Sequence, residues 1–213
     1  MPRIKPLPRA EAAPAAAAVY DLVFGPDRDP AVSPGTATGT PGTFFTTWAH
    51  TPAILAHFQT YRPDPPVFDA KLRAMAIIRA GYTQQSHFVF SQNCKGARAA
   101  GVDEAKIRAI PFWTVSDVFS PEERAVLAFV DGHTLEGGRV HDEVFAALKQ
   151  TFSEEQVLAL AFTLSFFAMH ARSSRALKLE YDDVPDRIVE IPAPAEPGVQ
   201  DWLDPKWAEA KEA

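Results

Sequence analysis

Residues 71–102, KLRAMAIIRAGYTQQSHFVFSQNCKGARAAGV, decide the fold. Apolar residues recur there at intervals of three and four, which is the spacing of amphipathic helices, and almost no stretch alternates as a half-buried strand would. Gly101 follows ARAA and is well placed to end a helix in the left-handed conformation. Asp103 is suited to begin the next helix. The stretch therefore predicts consecutive helices joined by short turns.

The same helical periodicity continues on both sides, so the predicted class is all-α. Residues 51–52, 120–123 and 153–156 carry helix start signals, the last two with a serine followed three residues later by Glu or Gln. The apolar run VLALAFTLSFFAMHA that follows is expected to be the central buried helix. Helices are predicted at about 12–24, 44–61, 68–80, 83–100, 103–110, 121–135, 142–150 and 154–179.

Composition divides the chain into three parts. Residues 26–43 and 192–206 are crowded with residues that favour turns, which interrupts any periodic pattern. We therefore expect an N-terminal arm with a short helix and a Pro/Gly-rich loop over 1–43, one helical domain over 44–182, and a C-terminal tail over 183–213. The tail carries tryptophans, and a neighbouring subunit could bury them.

Charge and cysteine usage limit the partners and the compartment. The net charge is -6 without a basic stripe, so nucleic acid is not an expected partner. Cys94 is the one cysteine, which excludes an intrachain disulfide and a thiolate metal cluster. Prolines interrupt the N-terminal apolar run before a signal peptide develops. No stretch of about eighteen apolar residues suggests a membrane span. A cytoplasmic location is expected.

Three pieces of sequence resemble one known family. They are His50-Thr51-Pro52, the segment from Leu72 to Arg79, and Ala100-Gly101. On these residues the chain resembles the carboxymuconolactone decarboxylase and alkyl hydroperoxidase D-like superfamily, from about Phe44 to Asp182. The resemblance implies an alkyl hydroperoxidase D-like helical bundle, subunits that commonly associate, and a pocket beside the active-site helix.

The residues that define the family's known chemistry are absent. Peroxidase-type members carry C-x-x-C, a histidine and an upstream glutamate at positions that here read Ser86, Val89, Asn93 and Ala74. Without two thiols no disulfide cycle can run, and Cys94 alone cannot replace the pair. Decarboxylase-like members often read YEWxxH. The corresponding residues here are Phe88, Val89, Phe90 and Asn93, so the aromatic character remains while the glutamate and the histidine are absent. A later family histidine falls at Ala168.

Other polar residues then become the candidate site. Helical spacing predicts that Tyr82, Ser86, Val89 and Asn93 follow one stripe, with Gln85 at its edge. Their neutral donors and acceptors are suited to orienting a carbonyl, phenol or carboxylate oxygen. The alternative is that these side chains cap or bridge neighbouring helices.

His87 and Tyr82 are the candidate acid and base, because an imidazole transfers protons near neutral pH and a phenol can donate one. His87 could instead face solvent or a subunit contact. Arg79 could bind a substrate carboxylate through paired hydrogen bonds, or it could join two helices in an ion pair. His170, on the apolar last helix, is expected to be a core histidine with its hydrogen bonds satisfied.

These residues favour a cofactor-independent enzyme without a metal, a lyase, decarboxylase or isomerase that transfers a proton on a small aromatic or lactone-like molecule. Phe90 is a candidate for the aromatic lining of its site, or equally a core residue. The alternative is a non-catalytic binding or scaffold protein that kept the helical assembly. We expect the enzyme and the scaffold protein alike to be homo-oligomers. A peroxidase-type oxidoreductase is the third hypothesis.

Overall fold

The computed structural model describes residues 2–34, 42–60 and 67–179. These residues form nine α-helices and two short 3-10 helices, with no β-strand among them, so the all-α prediction is confirmed. The α-helices are α1 (Pro14–Phe24), α2 (Gly42–Trp48), α3 (Pro52–Thr60), α4 (Ala70–Thr83), α5 (His87–Ala99), α6 (Glu104–Ala109), α7 (Pro121–Thr134), α8 (Asp142–Lys149) and α9 (Glu154–Leu177). The 3-10 helices cover Arg9–Glu11 and Ile110–Val115.

Local signals set most of the helix starts. Ser120 and Ser153 each accept a hydrogen bond from the backbone three residues later, and the side chains of Glu123 and Gln156 complete the two predicted capping boxes. Asp69 caps α4 in a similar way, since its carboxylate accepts from two backbone N–H groups of the first turn.

Two predicted helices are wrong in their bounds. The predicted helix over 44–61 is two helices, because Pro52 lacks an N–H and begins α3 after a turn at Thr51. The predicted helix over 83–100 begins only at His87, since α4 continues through Thr83 and a turn separates it from α5.

The main core lies among α4, α5, α7 and α9. It contains apolar side chains such as Met75, Ile78, Phe90, Leu127 and Leu164, all almost fully buried. A second group, here called the aromatic cluster, lies where α2 and α3 meet the start of α5 and the end of α9. Its members are Phe44, Ile77, Phe88, Val89, Ala171 and Leu179, with Phe45, Trp48, Phe58, Phe167 and Leu177 packed against them.

Helix α9 is central, but only one of its faces is buried. Leu160 and Leu164 are buried, whereas Leu158 is 70% exposed and Phe162 48% exposed, so the predicted central buried helix is exposed on that face. Among the described residues, α9 is the one helix whose length and composition would also suit a membrane span, with 39% of its most apolar window buried.

The N-terminal arm is tied to the bundle. Helix α1 packs on α3, where Tyr20 and Leu55 are fully buried. Before α1, the backbone N–H of Arg3 donates to the carbonyl of Leu177 (2.9 Å) and that of Leu7 to Thr46 (3.0 Å). The first residues therefore cross from α9 to α2. The predicted C-terminal tail over 183–213 lies outside the described residues.

Candidate functional site

The junction between α4 and α5 carries most of the predicted site, and backbone geometry fixes it. The N–H of Ser86 donates to the carbonyl of Gly81, and that of Gln85 donates to Tyr82, both at 2.9 Å. This is a Schellman turn, with Gln85 in the left-handed conformation at φ 53°. A Cβ on Gly81 would lie 2.7 Å from the backbone nitrogen of Phe90, so a glycine lets the two helices approach at this point.

Ser86 is the N-cap of α5. Its hydroxyl accepts from the N–H of Val89 (3.2 Å), and the side-chain amide of Asn93 donates to the carbonyl of Val89 (2.7 Å). The positions at which the resemblance places two thiols and a histidine are therefore linked here by one capping hydrogen bond and one hydrogen bond within α5. The predicted stripe was wrong at its beginning, because Tyr82 belongs to α4 and lies across the turn from the other three.

Arg79 is buried, and protein atoms occupy its donors. Its Nε and Nη2 donate to the carboxylate of Asp131 on α7 at 2.7 and 2.9 Å, and Nη1 donates to the carbonyls of Ile110 and Pro111. The guanidinium also lies over the Tyr82 ring, with Cζ 5.3 Å from its centroid. Of the two roles predicted for Arg79, the structure contains the ion pair between helices.

The remaining predicted residues differ in how deeply they are buried. Phe90 is buried in the main core, 6.1 Å from the Tyr82 ring, while Gln85 is exposed. Asn93 is half-buried. His87 is the first residue of α5, but its side chain lies outside the described part of the structure. Cys94 is fully buried in the main core.

A different constellation surrounds His170 on α9. Its imidazole lies among four phenylalanine rings, with centroid distances of 4.3 Å to Phe166, 5.0 Å to Phe58, 5.2 Å to Phe44 and 5.7 Å to Phe167. Phe44 also stacks on Phe88 of α5 at 5.5 Å, which places the imidazole one ring away from the first turn of α5.

Unsatisfied polar atoms concentrate in this region. Within the described residues, the buried side-chain atoms without a hydrogen-bond partner are Thr47 Oγ1, Trp48 Nε1, His133 Nδ1, His170 Nε2 and Ser174 Oγ. All but the His133 atom belong to α2 or α9, within one helical turn of the contact between Phe44 and His170. Buried polar groups almost always have a partner, so these four atoms are candidates to contact water or a bound polar molecule.

The expectation that His170 is a satisfied core histidine was wrong, since its Nε2 has no partner. Burial among apolar rings lowers the pKa of His170 to about 4, because the charged imidazolium would lose its hydration there. The ring is therefore neutral at pH 7, and one of its nitrogens carries a free lone pair. A neutral imidazole in such a place can accept a proton or a hydrogen bond.

Sequence reasoning named His170 but did not connect it to α2 and α3, because these parts come from distant segments. The available signal was the repetition of aromatic residues at helical spacing, Phe44 with Trp48 on α2 and Phe166 with His170 on α9. Ser174 follows His170 by one further turn. That signal is equally typical of an ordinary core, so it identifies the helices and not the site.

A small-molecule site in a surface crevice and a metal site are both less well supported. A crevice of about 60 Å³, large enough for roughly two waters, is lined by Lys71, Met75, Gly101, Val102, Asp103, Lys106 and Glu123. None of the predicted site residues lines it. In the described part of the chain, no three His, Cys, Asp or Glu side chains are grouped in a way that could hold a metal ion.

The chain is similar to known proteins at the level of both sequence and fold. Residues 49–132 match the model of the carboxymuconolactone decarboxylase family. The uncharacterized protein YdfG of Bacillus subtilis (strain 168) is 29% identical over 94 residues, which are 44% of this chain. The matched part of the chain spans 64% of the length of YdfG.

Two solved structures share the fold. The debrominase Bmp8, in its apo form, superposes with a TM-score of 0.61 at 16% identity over 84% of this chain and 92% of its own. The alkylhydroperoxidase AhpD core of an uncharacterized peroxidase-related protein from Ralstonia eutropha JMP134 gives a TM-score of 0.61 at 18% identity, over 84% and 94%. Residues 49–132 therefore resemble the carboxymuconolactone decarboxylase family in sequence, and the chain shares the helical fold of an alkylhydroperoxidase AhpD core.

Proposed function

We propose that the protein is a cofactor-independent enzyme, a lyase, decarboxylase or isomerase, that transfers a proton on a small aromatic or lactone-like molecule bound at the aromatic cluster. The observation that carries the proposal is the His170 imidazole, surrounded by four phenylalanines with its Nε2 unpartnered. A buried neutral imidazole can accept a proton from a bound carbon or oxygen acid, and the apolar surroundings exclude water that would compete.

Five of the residues predicted from sequence keep their roles as part of this proposal. His87 begins α5 beside Phe88 and is a second acid/base candidate, with Tyr82 a third. Ser86, Asn93 and Gln85 are proposed to orient the substrate. Arg79 and Phe90 contribute by fixing the α4–α5 junction, since the contacts of both are with the protein itself.

The test is turnover by variants that keep side-chain volume. A panel of aromatic acids, aromatic ketones and lactones is assayed for product and for hydrogen–deuterium exchange at acidic C–H positions. His170→Phe, and either His87→Ala or Tyr82→Phe, are expected to lower the rate at least tenfold. His133→Phe, at a second half-buried histidine on α7, is the matched control and should leave the rate unchanged. A turnover rate of His170→Phe equal to that of the wild-type protein would contradict the proposal.

The alternative is a non-catalytic binding or scaffold protein. It is favoured by the hydrogen bonds that Ser86, Asn93 and Arg79 make within the protein, which leave the family's active-site helix with few groups for chemistry. Ligand binding without any turnover would support it. The peroxidase hypothesis is tested by hydroperoxide reduction with a dithiol donor, which should be absent because Cys94 is buried.

Two further predictions concern where the protein acts and with what. We infer self-association, supported by the exposed apolar residues Leu158 and Phe162 on α9. A cytoplasmic location, and the expectation that the protein has neither nucleic-acid nor membrane partners, stay predictions from the sequence.

A further inference from the structure

We propose that the site between α2 and α9 takes an uncharged, flat molecule that carries both a hydrogen-bond acceptor and a hydrogen-bond donor, of which a hydroxylated aromatic ketone is the simplest example. The inference rests on the proposed function for the location of the site. It adds the chemical class of the ligand, which follows from the groups that lie there.

The walls of the site favour a flat ring. Phe44, Phe58 and Phe166 approach His170 from α2, α3 and α9, at interplanar angles from 49° to 69°. Aromatic side chains presented at tilted and edge-on angles offer both faces and edges to a further ring, and such contacts add to the energy of burial. A flat aromatic molecule makes these contacts without losing conformational freedom.

Trp48 requires an acceptor on the ligand. Its indole Nε1–H can only donate, and this buried atom has no partner among the described residues. The Trp48 ring lies 5.2 Å from Phe58, and the His170 ring lies 5.0 Å from the same Phe58. The two unpartnered nitrogens therefore belong to rings that share a neighbour, so one small molecule can reach both.

His170 can take a donor from the ligand. Because burial depresses its pKa to about 4, the imidazole is neutral at pH 7, and Nε2 accepts in the tautomer that carries its proton on Nδ1, which is the tautomer of the proposed complex. Ser174 lies one turn further along α9 and Thr47 lies beside Trp48, and both are buried with unpartnered hydroxyls. A hydroxyl can donate or accept, so these two groups add hydrogen bonds without changing the class of ligand.

Among the described residues, the rings that surround the His170 imidazole are uncharged. The Arg79 guanidinium is occupied by Asp131, and Arg175 at the end of α9 donates to the carbonyl of Gln85 at 3.5 Å. A carboxylate moved from water to this place would lose its hydration without gaining an ion pair from the described rings around His170, which selects against it.

The experiment measures the affinity of four probes by calorimetry at pH 6.5. They are 4-hydroxyacetophenone, acetophenone, 4-hydroxybenzoate and toluene, which differ in donor, acceptor and charge on one ring. The wild-type protein should bind 4-hydroxyacetophenone at least tenfold more tightly than acetophenone, and at least tenfold more tightly than 4-hydroxybenzoate. Tighter binding of 4-hydroxybenzoate, or no binding of 4-hydroxyacetophenone, would overturn the inference.

Two variants assign the selectivity to residues. His170→Phe should abolish the advantage of 4-hydroxyacetophenone over acetophenone, and Trp48→Phe should weaken both ketones at least fivefold while toluene binding is retained. His133→Phe is the control and should change neither. If a variant unfolds, the ¹⁵N chemical shifts of the His170 imidazole in the wild-type protein still report whether 4-hydroxyacetophenone donates to it. An unchanged shift at saturating probe would overturn the inference.

A second measurement tests the proposed enzymatic function independently of the ligand class. Hydrogen–deuterium exchange at the methyl group of bound 4-hydroxyacetophenone measures proton transfer to carbon. The expected probe selectivity without catalysed exchange would leave the ligand class standing and remove the enzymatic function.

Discussion

Asp131 on α7 binds Arg79 on α4 at two points, with Nε donating to Oδ1 at 2.7 Å and Nη2 donating to Oδ2 at 2.9 Å. The indole N–H of Trp113 donates to the same carboxylate at 2.9 Å. This buried pair fixes α4 against α7, immediately before the turn that leads into α5. The position of α5 therefore depends on a carboxylate that lies 52 residues further along the chain than Arg79.

Asp131→Asn should strongly destabilise the fold, because Arg79 is only 7% exposed and would be left with an uncompensated charge. Breaking one partner of a buried pair costs about 3 kcal/mol or more. Urea unfolding at pH 7 measures the change. Glu104→Gln, which removes the exposed ion pair with Arg98, is the control and should have a much smaller effect. Equal stability of the two variants would contradict a structural role for Asp131.

Gly81→Ala tests the close approach of α4 and α5. The added methyl group would lie 2.7 Å from the backbone nitrogen of Phe90, so the helices must separate, at a cost of about 1–3 kcal/mol. Gly96 lies on α5 with no atom near its would-be Cβ, and Gly96→Ala should instead stabilise the helix by about 0.5–1 kcal/mol. Thermal unfolding of the two variants should give shifts of opposite sign. Two shifts of the same sign would argue against this packing.

Local features of the fold could be predicted from sequence, and features made by tertiary contacts could not. The capping boxes at Ser120 and Ser153 depend on residues three positions apart, so the pattern was sufficient. The end of α4 was missed because Gln85 takes a left-handed position that a glycine usually signals. The surroundings of His170 depend on Phe44 and Phe58, more than a hundred residues away, and no local pattern connects them.

Gln85→Gly distinguishes a backbone role from a substrate role at this exposed turn. The left-handed conformation at φ 53° costs a residue with a Cβ about 1 kcal/mol, and glycine avoids that cost. Thermal unfolding should therefore show a small stabilisation. The proposed contact between Gln85 and substrate predicts a loss of affinity for 4-hydroxyacetophenone in the same variant, and unchanged affinity would leave Gln85 with the backbone role alone.

Self-association through α9 predicts that charge on its exposed face separates the subunits. Leu158 and Phe162 lie one turn apart and are largely exposed. Leu158→Glu combined with Phe162→Glu should shift the mass measured by analytical ultracentrifugation from an oligomer to a monomer. Leu22→Glu, at a similarly exposed leucine on α1, is the control and should leave the mass unchanged. A monomeric wild-type protein would contradict the prediction.

His170 should make stability depend on pH in a defined direction. Its pKa is about 4 in the folded protein and near 6.5 when the chain unfolds, so the unfolded state binds more protons between these values. Stability is therefore lost as the pH falls from 6.5 towards 4, by about 2 kcal/mol between pH 7 and pH 5. Urea unfolding of His170→Phe should lack this part of the loss. His141→Gln, which removes an exposed histidine, should retain it. Burial of His133 also lowers the pKa of that residue, but it contributes equally to wild type and to both variants, so the difference between His170→Phe and wild type isolates His170.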